Sequence, residues 1–228
     1  MAGVKFDAHY NVTGIDPPDL VWFIKKNYPD VIFDKPRVTI WELIVKHGCP
    51  PIRQQRYCCK ELKERGGTNR ICVTGVRWEE SPRRRLKHDV LIKNFNSKES
   101  ILLNDNTDKR ILHEYCSLKS KHILNPIIDW TNADVWNFIR SNDLEYCKLY
   151  DEGWRRIGCI ACPMAVKKER SKELERYPKF KALYLRAIKK MLKVRIEKGR
   201  SFKPEGTAED VLEWWITGKI ECKGQLRI

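Results

Sequence analysis

Four cysteines in two close pairs are the residues of this chain best placed to do chemistry. Cys159 and Cys162 stand with two residues between them in WRRIGCIACPMA, residues 154–165, and Cys58 and Cys59 are adjacent in RYCC. Together they offer one closed four-thiolate site, of the kind built by structural zinc and by iron–sulfur clusters. Zinc pairs usually keep two to four residues between ligands. Adjacent cysteines point their side chains in different directions, which hinders closure on one ion but suits a cubane whose irons each take one thiolate. The spacing therefore favours a [4Fe-4S] cluster, with zinc as the alternative. The plainer reading is four small buried hydrophobes, as free cysteines often are. Cys49, Cys72, Cys116 and Cys147 pair with nothing at ligand spacing and are expected to be dispensable for metal.

The elements that must position these thiols belong to a chain of 228 residues with 42% hydrophobic content, enough for a sizeable core. Nine cysteines make an odd set for a disulfide framework, and MAGVKFDAHY lacks the apolar run of a secretory signal, which implies a reducing compartment. VWFI and WWIT are quickly flanked by charge and fall short of the roughly 20 apolar residues that cross a bilayer. A soluble, cytoplasmic protein with no membrane partner is expected. Lys and Arg number 45 against 30 Asp and Glu, a net charge of +15, which points to phosphate-bearing partners, either nucleotide or nucleic acid.

Along the chain, residues 4–12 alternate as a strand does and run into TGIDPPD, where Asp16 reads as an N-cap and Pro17 as the first helical residue. That helix carries Leu20, Val21, Phe23 and Ile24. DVIFDKP follows as a strand, and Thr39 with Glu42 forms a capping-box pattern for TIWELIVKH. The alternation predicts an α/β fold, a parallel sheet with helices on both faces, and places a ligand beyond the carboxyl ends of the strands. A third helix is expected from RYCCKELK to Gly66-Gly67, then the strand RICVTGV, ended by Gly75. The following loop holds Arg77, Arg83, Arg84 and Arg85, guanidinium forks suited to an anion or a solvated charge run. HILNPIIDW reads as a strand, and Thr131 as the cap of a helix with Val135, Trp136 and Ile139 on its core face. Residues 167–200 are basic and helical, broken at Tyr177-Pro178. There Leu183, Tyr184, Ala187, Ile188, Met191 and Leu192 form a face expected to dock on the sheet, opposite a lysine-rich face that is solvated or tracks a nucleic-acid backbone. Thr207 begins a last helix, TAEDVLEWWITG.

In order along the chain, YNVTGIDPPD, RYCCKELK, TGVRWEESPRRR, NPIIDWTNADVW and LYDEGWRRIGCIACP resemble the motifs of the phosphoadenosine phosphosulfate (PAPS/APS) reductase family, within the PP-loop superfamily of adenine nucleotide alpha-hydrolase-like folds. The resemblance implies a PAPS reductase-like α/β domain over 1–165 and a basic helical extension over 166–228 packed on it. The paired cysteines are similar to those of the cluster-bearing sulfonucleotide reductases, where they ligate [4Fe-4S]. It further implies that Lys63 lies beside the cluster and the substrate's anionic groups. Thr13, Gly14 and Gly75 would then lie near the nucleotide, and Arg77 with Arg84 or Arg85 would hold phosphate or sulfate. Glu221-Cys222 is similar to the family's nucleophilic tail, but the glycine and histidine of an ECGxH pattern are out of register, and an unremarkable thiol is the alternative.

The family's SGGKDS loop has no counterpart here, so the N-terminal strand and phosphate loop are expected to be missing. The chain alone should then bind adenylyl sulfate or ATP weakly and associate with itself or with a partner chain. Whether it is itself an enzyme stays open. A reductase-like reading implies a thiol electron donor such as thioredoxin. One rival is a PP-loop sulfurtransferase-type subunit of DNA phosphorothioation or tRNA thiolation. Another is a non-catalytic nucleic-acid-binding or partner subunit.

Overall fold

The computed structural model describes residues 3–63, 67, 70–82, 85, 91–93, 100–101, 122–202 and 205–218. The chain divides into two units, Met1–Glu64 with Cys147–Ile228, and Arg65–Tyr146. Arg84 and Cys222 lie outside the described residues, as does the helix closure expected at Gly66.

In the first unit, β1 (His9–Asn11) pairs in parallel with β2 (Ile32–Asp34), with His9 opposite Ile32 and Asn11 opposite Asp34. Between them runs α1 (Pro18–Asn27). Its cap corrects the expectation. Pro17 occupies the cap position with no side-chain hydrogen bond, and the helix begins at Pro18. Asp16 is not available to cap it, because its carboxylate accepts from the Thr13 amide and the Thr13 hydroxyl, both at 2.7 Å. The helices α2 (Ile40–His47) and α3 (Tyr57–Leu62) follow. At α2 the expected capping box forms between Thr39 and Glu42, and Gly48 closes the helix at φ +66°, a left-handed conformation that costs glycine little.

The rest of this unit is helical: α5 (Lys167–Arg176), α6 (Pro178–Glu197) and α7 (Ala208–Thr217), the last started by a Thr207–Asp210 capping box. The break at Pro178 falls where the sequence places it, since proline cannot donate the amide that a continuous helix needs. The face of α6 carrying Tyr184, Ala187, Ile188 and Met191 is buried. Its main packing partners are the helices α2, α7 and α5 rather than the expected sheet. The apolar face of α2, with Ile40, Leu43 and Ile44 at no more than 1% exposure, meets it there.

In the second unit, β3 (Ile71–Val73) pairs in parallel with β6 (His122–Leu124). On the other side of β6 lie β4 (Leu91–Lys93) and β5 (Ser100–Ile101), each joined antiparallel to its neighbour, giving the order β3-β6-β4-β5. The architecture is thus mixed α/β with short parallel pairings, and the antiparallel strands fall where the sequence carries no clear period. The strand expected over HILNPIIDW stops at Leu124, and a turn over residues 126–129 leads to α4 (Asn132–Ser141), capped by Thr131 and Asp134 as expected. Val135, Trp136 and Ile139 of α4 are half-buried. Among the described residues no helix is long and apolar enough to cross a membrane.

The weight carried by the α6 face is open to measurement. Ile188, at 0% exposure, should cost about 2–5 kcal/mol on Ile188→Ala substitution. Ile196, one helix face away and 75% exposed, should change stability by no more than about 0.5 kcal/mol as Ile196→Ala. Urea midpoints at constant slope report both, and equal effects at the two positions would contradict this packing.

Candidate functional site

The first half of the site is the start of α3. Tyr57 anchors it: buried, stacked on His47 with ring centroids 4.0 Å apart, and donating its hydroxyl to the Cys49 carbonyl at 2.6 Å. With Leu62 also buried, the next two residues, Cys58 and Cys59, are set half-buried on the first turn. The second half is the loop Cys159–Cys162. Ile160 and Ala161, its spacer residues, are fully buried, so their backbone groups need partners inside the protein. The Ile160 amide donates to the Ile15 carbonyl at 2.7 Å, the Ile160 carbonyl accepts from the Tyr184 hydroxyl at 3.0 Å, and the Ala161 amide donates to Glu173 Oε2 at 2.6 Å. Ala161 adopts φ +58°, the left-handed region. Beyond Cys162, Arg53 Nε donates to the Pro163 carbonyl at 3.1 Å.

The two halves meet electrostatically. A hydrogen bond with Cys59 leads the causes that push the Cys58 thiol up, followed by burial and by the negative charge of Cys59, Cys162 and Cys159. Burial likewise raises Cys159, opposed by Lys63 and by Thr13, whose Oγ1 lies 3.5 Å from the sulfur. Lys63 as a whole residue is exposed. Desolvation of its ammonium end works against the charge, but Cys159, Asp16 and Cys59 outweigh it and hold Lys63 protonated above the ordinary lysine range. All four expected thiols therefore share one neighbourhood with Lys63, Thr13 and Asp16. No three or more His, Cys, Asp or Glu side chains among the described residues gather around a point where one metal ion could sit.

Thr13 is buried at 1% exposure, and Gly14 beside it has φ +78° with open space above it. In the second unit, Gly75 has only Ile127 Cδ1 within reach, 3.8 Å from where a Cβ would stand. Arg77 is engaged locally: Nη2 donates to Asn132 Oδ1 at 2.8 Å, Nη1 to Glu79 at 3.4 Å and to the Trp130 carbonyl at 3.5 Å. Arg85 is exposed. Sequence reasoning missed Asp16, Arg170 and Glu173. Thr13-x-x-Asp16 did carry a signal, the spacing of a capping box, but here the pair closes a turn instead of a helix. Arg170 and Glu173 sit in a run of charge that reads as solvated, yet each is only 6% exposed.

Comparison with known proteins adds to this geometry. Residues 19–165 match the family model for the phosphoadenosine phosphosulfate reductase domain. An adenosine 5'-phosphosulfate reductase of Oceanobacillus iheyensis is 31% identical over 168 residues, 70% of this chain and 59% of the relative. The adenosine 5'-phosphosulfate reductase 1 of Bacillus subtilis is 27% identical over 147 residues, 61% of this chain and 53% of the relative. An uncharacterised protein of Methanocaldococcus jannaschii is 30% identical over 171 residues, 73% of this chain and 37% of the relative. The chain thus aligns with between 37% and 59% of the length of these relatives.

Glu173 gives the site a pH dependence. Burial pushes its carboxyl up to about 7, against an ordinary value of 4.5, although the Ala161 amide pulls the other way. The folded state thus holds this proton more tightly than the unfolded one, so the contribution of Glu173 to stability is fully present below pH 4.5 and is lost as pH rises through about 7. Glu173→Gln keeps an oxygen for the Ala161 amide and removes the titration. Relative to the native chain the variant should gain roughly 3 kcal/mol between pH 4.5 and 8. Parallel stability curves for the two proteins across that range would refute the assignment.

Proposed function

Since the chain belongs to the phosphoadenosine phosphosulfate reductase domain family, we propose that it is a sulfonucleotide reductase-like protein whose four-cysteine site carries a [4Fe-4S] cluster. The observation that supports this most is the shared neighbourhood of Cys58, Cys59, Cys159 and Cys162 with Lys63 and Thr13. The donor set fits the group. Four thiols, half-buried and free of disulfides, can each take one iron of a cubane without converging on a single point, and an adjacent ammonium offsets the charge they acquire when deprotonated. When bound, the cluster would supply, together with Lys63, a preorganised field at the sulfate.

The proposed reaction follows from the family. A cysteine thiolate, with Cys222 the sequence candidate, attacks the sulfur of adenylyl sulfate. The bond from sulfur to the phosphate oxygen breaks, and the adenine nucleotide leaves with the electron pair, so the enzyme holds a thiosulfonate. A dithiol donor such as thioredoxin then attacks the cysteine sulfur. Sulfite leaves with the electron pair of the sulfur–sulfur bond, and the donor's second thiol resolves the mixed disulfide, returning the cysteine and oxidising the donor. Of this chain's residues, Thr13 and Gly14 would present a turn to the nucleotide, its shape fixed by the two hydrogen bonds to Asp16. Lys63 would hold its proton and meet anionic oxygens. The anion-binding role for Arg77 and Arg85 is a separate proposal. For Arg77 it requires release from Asn132 and Glu79.

A second reading has its own observation. Lys167, Lys168, Lys172, Lys189, Lys190 and Lys193 are all exposed on a chain of net charge +15, as a sulfur-transfer or binding subunit acting on nucleic acid would need.

Protein purified without oxygen is expected to be brown and to hold about four irons with matching sulfide. Cys58→Ser, Cys59→Ser, Cys159→Ser and Cys162→Ser should each lower iron content, whereas Cys49→Ser and Cys147→Ser should not. Stoichiometric zinc without iron would overturn the cluster. Binding to a DNA duplex across a salt series separates the two readings. A log–log slope that loses about 0.9 per phosphate contact removed when those lysines are neutralised favours nucleic acid. No binding at low salt eliminates it.

A further inference from the structure

Arg170 is the least accommodated charge among the described residues. It is 6% exposed, and its Nε and Nη2 atoms are buried without a hydrogen-bond partner. Only Nη1 is used, donating to the Ile216 carbonyl at 3.4 Å. The guanidinium lies over the Trp215 ring, 4.5 Å from its centroid. Stacking of that kind is a modest attraction. Leaving a charged donor buried and unpaired costs more than stacking returns, so a negative charge nearby is needed to balance Arg170.

The charges that act on it are those of Tyr184, Cys162 and Glu173, opposed by Arg53, and α5 is tied to the cysteine loop by Glu173, which accepts from the Ala161 amide at 2.6 Å. Tyr184 is fully buried, kept neutral by that burial, and its hydroxyl is committed to the Ile160 carbonyl. Glu173 spends Oε2 on the Ala161 amide, and burial favours its neutral form. Tyr184 therefore offers Arg170 no anion, and Glu173, titrating at about 7, offers only a partial one near neutral pH. The remaining neighbour is Cys162, and with it the other three thiols. Four thiolates around either a zinc ion or an oxidised iron–sulfur cubane make a dianion, more negative charge than the single ammonium of Lys63 can answer.

We propose that Arg170 is the buried counter-cation of the four-cysteine site, a positioning residue that stabilises the negatively charged group those cysteines bind. This rests on the reading that the four thiols bind a metal group, and it adds a residue from a different helix, α5, to that site. Cys162 and Arg170 are joined by a short stretch in which Arg53 fixes the Pro163 and Met164 carbonyls, so the loop and the first turns of α5 are held as one piece. The two donors that make no hydrogen bond would then answer the charge of the bound group as a whole.

The test compares full-length protein, purified without oxygen, as native, Arg170→Met, Arg170→Lys and Lys193→Gln. Methionine keeps an apolar stem over Trp215 while removing the charge, lysine keeps the charge, and Lys193 is an exposed control. The readouts are iron and sulfide per chain and the midpoint potential of the bound cluster. Arg170→Met should be harder to reduce, by about tenfold in the one-electron equilibrium constant, or about 59 mV. Arg170→Lys should recover most of that shift, and Lys193→Gln should match the native protein. A merely structural arginine would alter the unfolding midpoint and leave the potential alone, and that result would overturn the proposal. If Arg170→Met does not fold, Arg170→Gln carries the same comparison. If the native protein holds zinc, the cluster reading fails while this inference stands or falls on retention of zinc. Arg170→Met should then surrender it at about tenfold lower chelator, and equal retention would refute the role. A native protein that binds neither metal removes both proposals.

Discussion

A buried loop must find an internal partner for every amide and carbonyl it takes out of water, and in this protein that requirement falls on Ile160 and Ala161. Three hydrogen bonds meet it for the two amides and the Ile160 carbonyl, and each comes from a different part of the chain: the Ile15 carbonyl after β1, the Tyr184 hydroxyl on α6 and the Glu173 carboxyl on α5. The positions of Cys159 and Cys162 on either side follow from these anchors. So do the depth at which α6 must sit, because Tyr184 has to reach Ile160, and the presence of an acid in the interior of α5. Without the anchored spacer the two cysteine pairs would have no fixed relation to each other.

Much of this was legible in the sequence where the determinants are local. The boxes at Thr39, Thr131 and Thr207 are closed by residues three positions away, and the Pro178 break depends on one ring, so each could be read without knowing the fold. The thiols were legible because cysteine pairs at short spacing have few other uses. Asp16 was misread as the N-cap because an acid just before Pro17-Pro18 is a usual helix start, whereas its carboxylate is taken up by the Thr13 amide and hydroxyl. The α6 face was recognised as buried, but nothing in a period of 3.6 says whether the partner is a sheet or another helix. That depended on α2 and α7 being apolar on the matching sides. Arg170 and Glu173 were hidden by composition: in KKERSKELER they look like solvent-facing neighbours, although their spacing with Leu174 and Tyr177, both buried, is that of one helix face.

The charges near the site are graded by exposure. Lys63 reaches in from solvent, Arg53 is spent on backbone carbonyls past Cys162, and Arg170 is sealed in against Trp215. A cation held by backbone oxygens stiffens the loop, while one reached by water can follow a substrate's charge, so basic residues of similar formal charge serve different ends. The net charge of the chain says little about this, since most of its excess lysines stay in water.

The first unit is built from two stretches of chain separated by residues 65–146, and this has a consequence for synthesis. When the ribosome has delivered α2 and α3, the helix α6 on which α2 packs does not yet exist. Ile40, Leu43 and Ile44 stay uncovered by α6 until more than half of the chain has followed, and Cys58 and Cys59 wait for the second thiol pair until the 99 residues between Cys59 and Cys159 have been made. At about 5–20 residues per second, the wait from α2 to α6 is roughly seven to thirty seconds, long enough for a nascent chain to meet chaperones, oxidants and other nascent chains. The arrangement that places four thiols together in the finished protein therefore makes the first pair the most vulnerable part of the unfinished one.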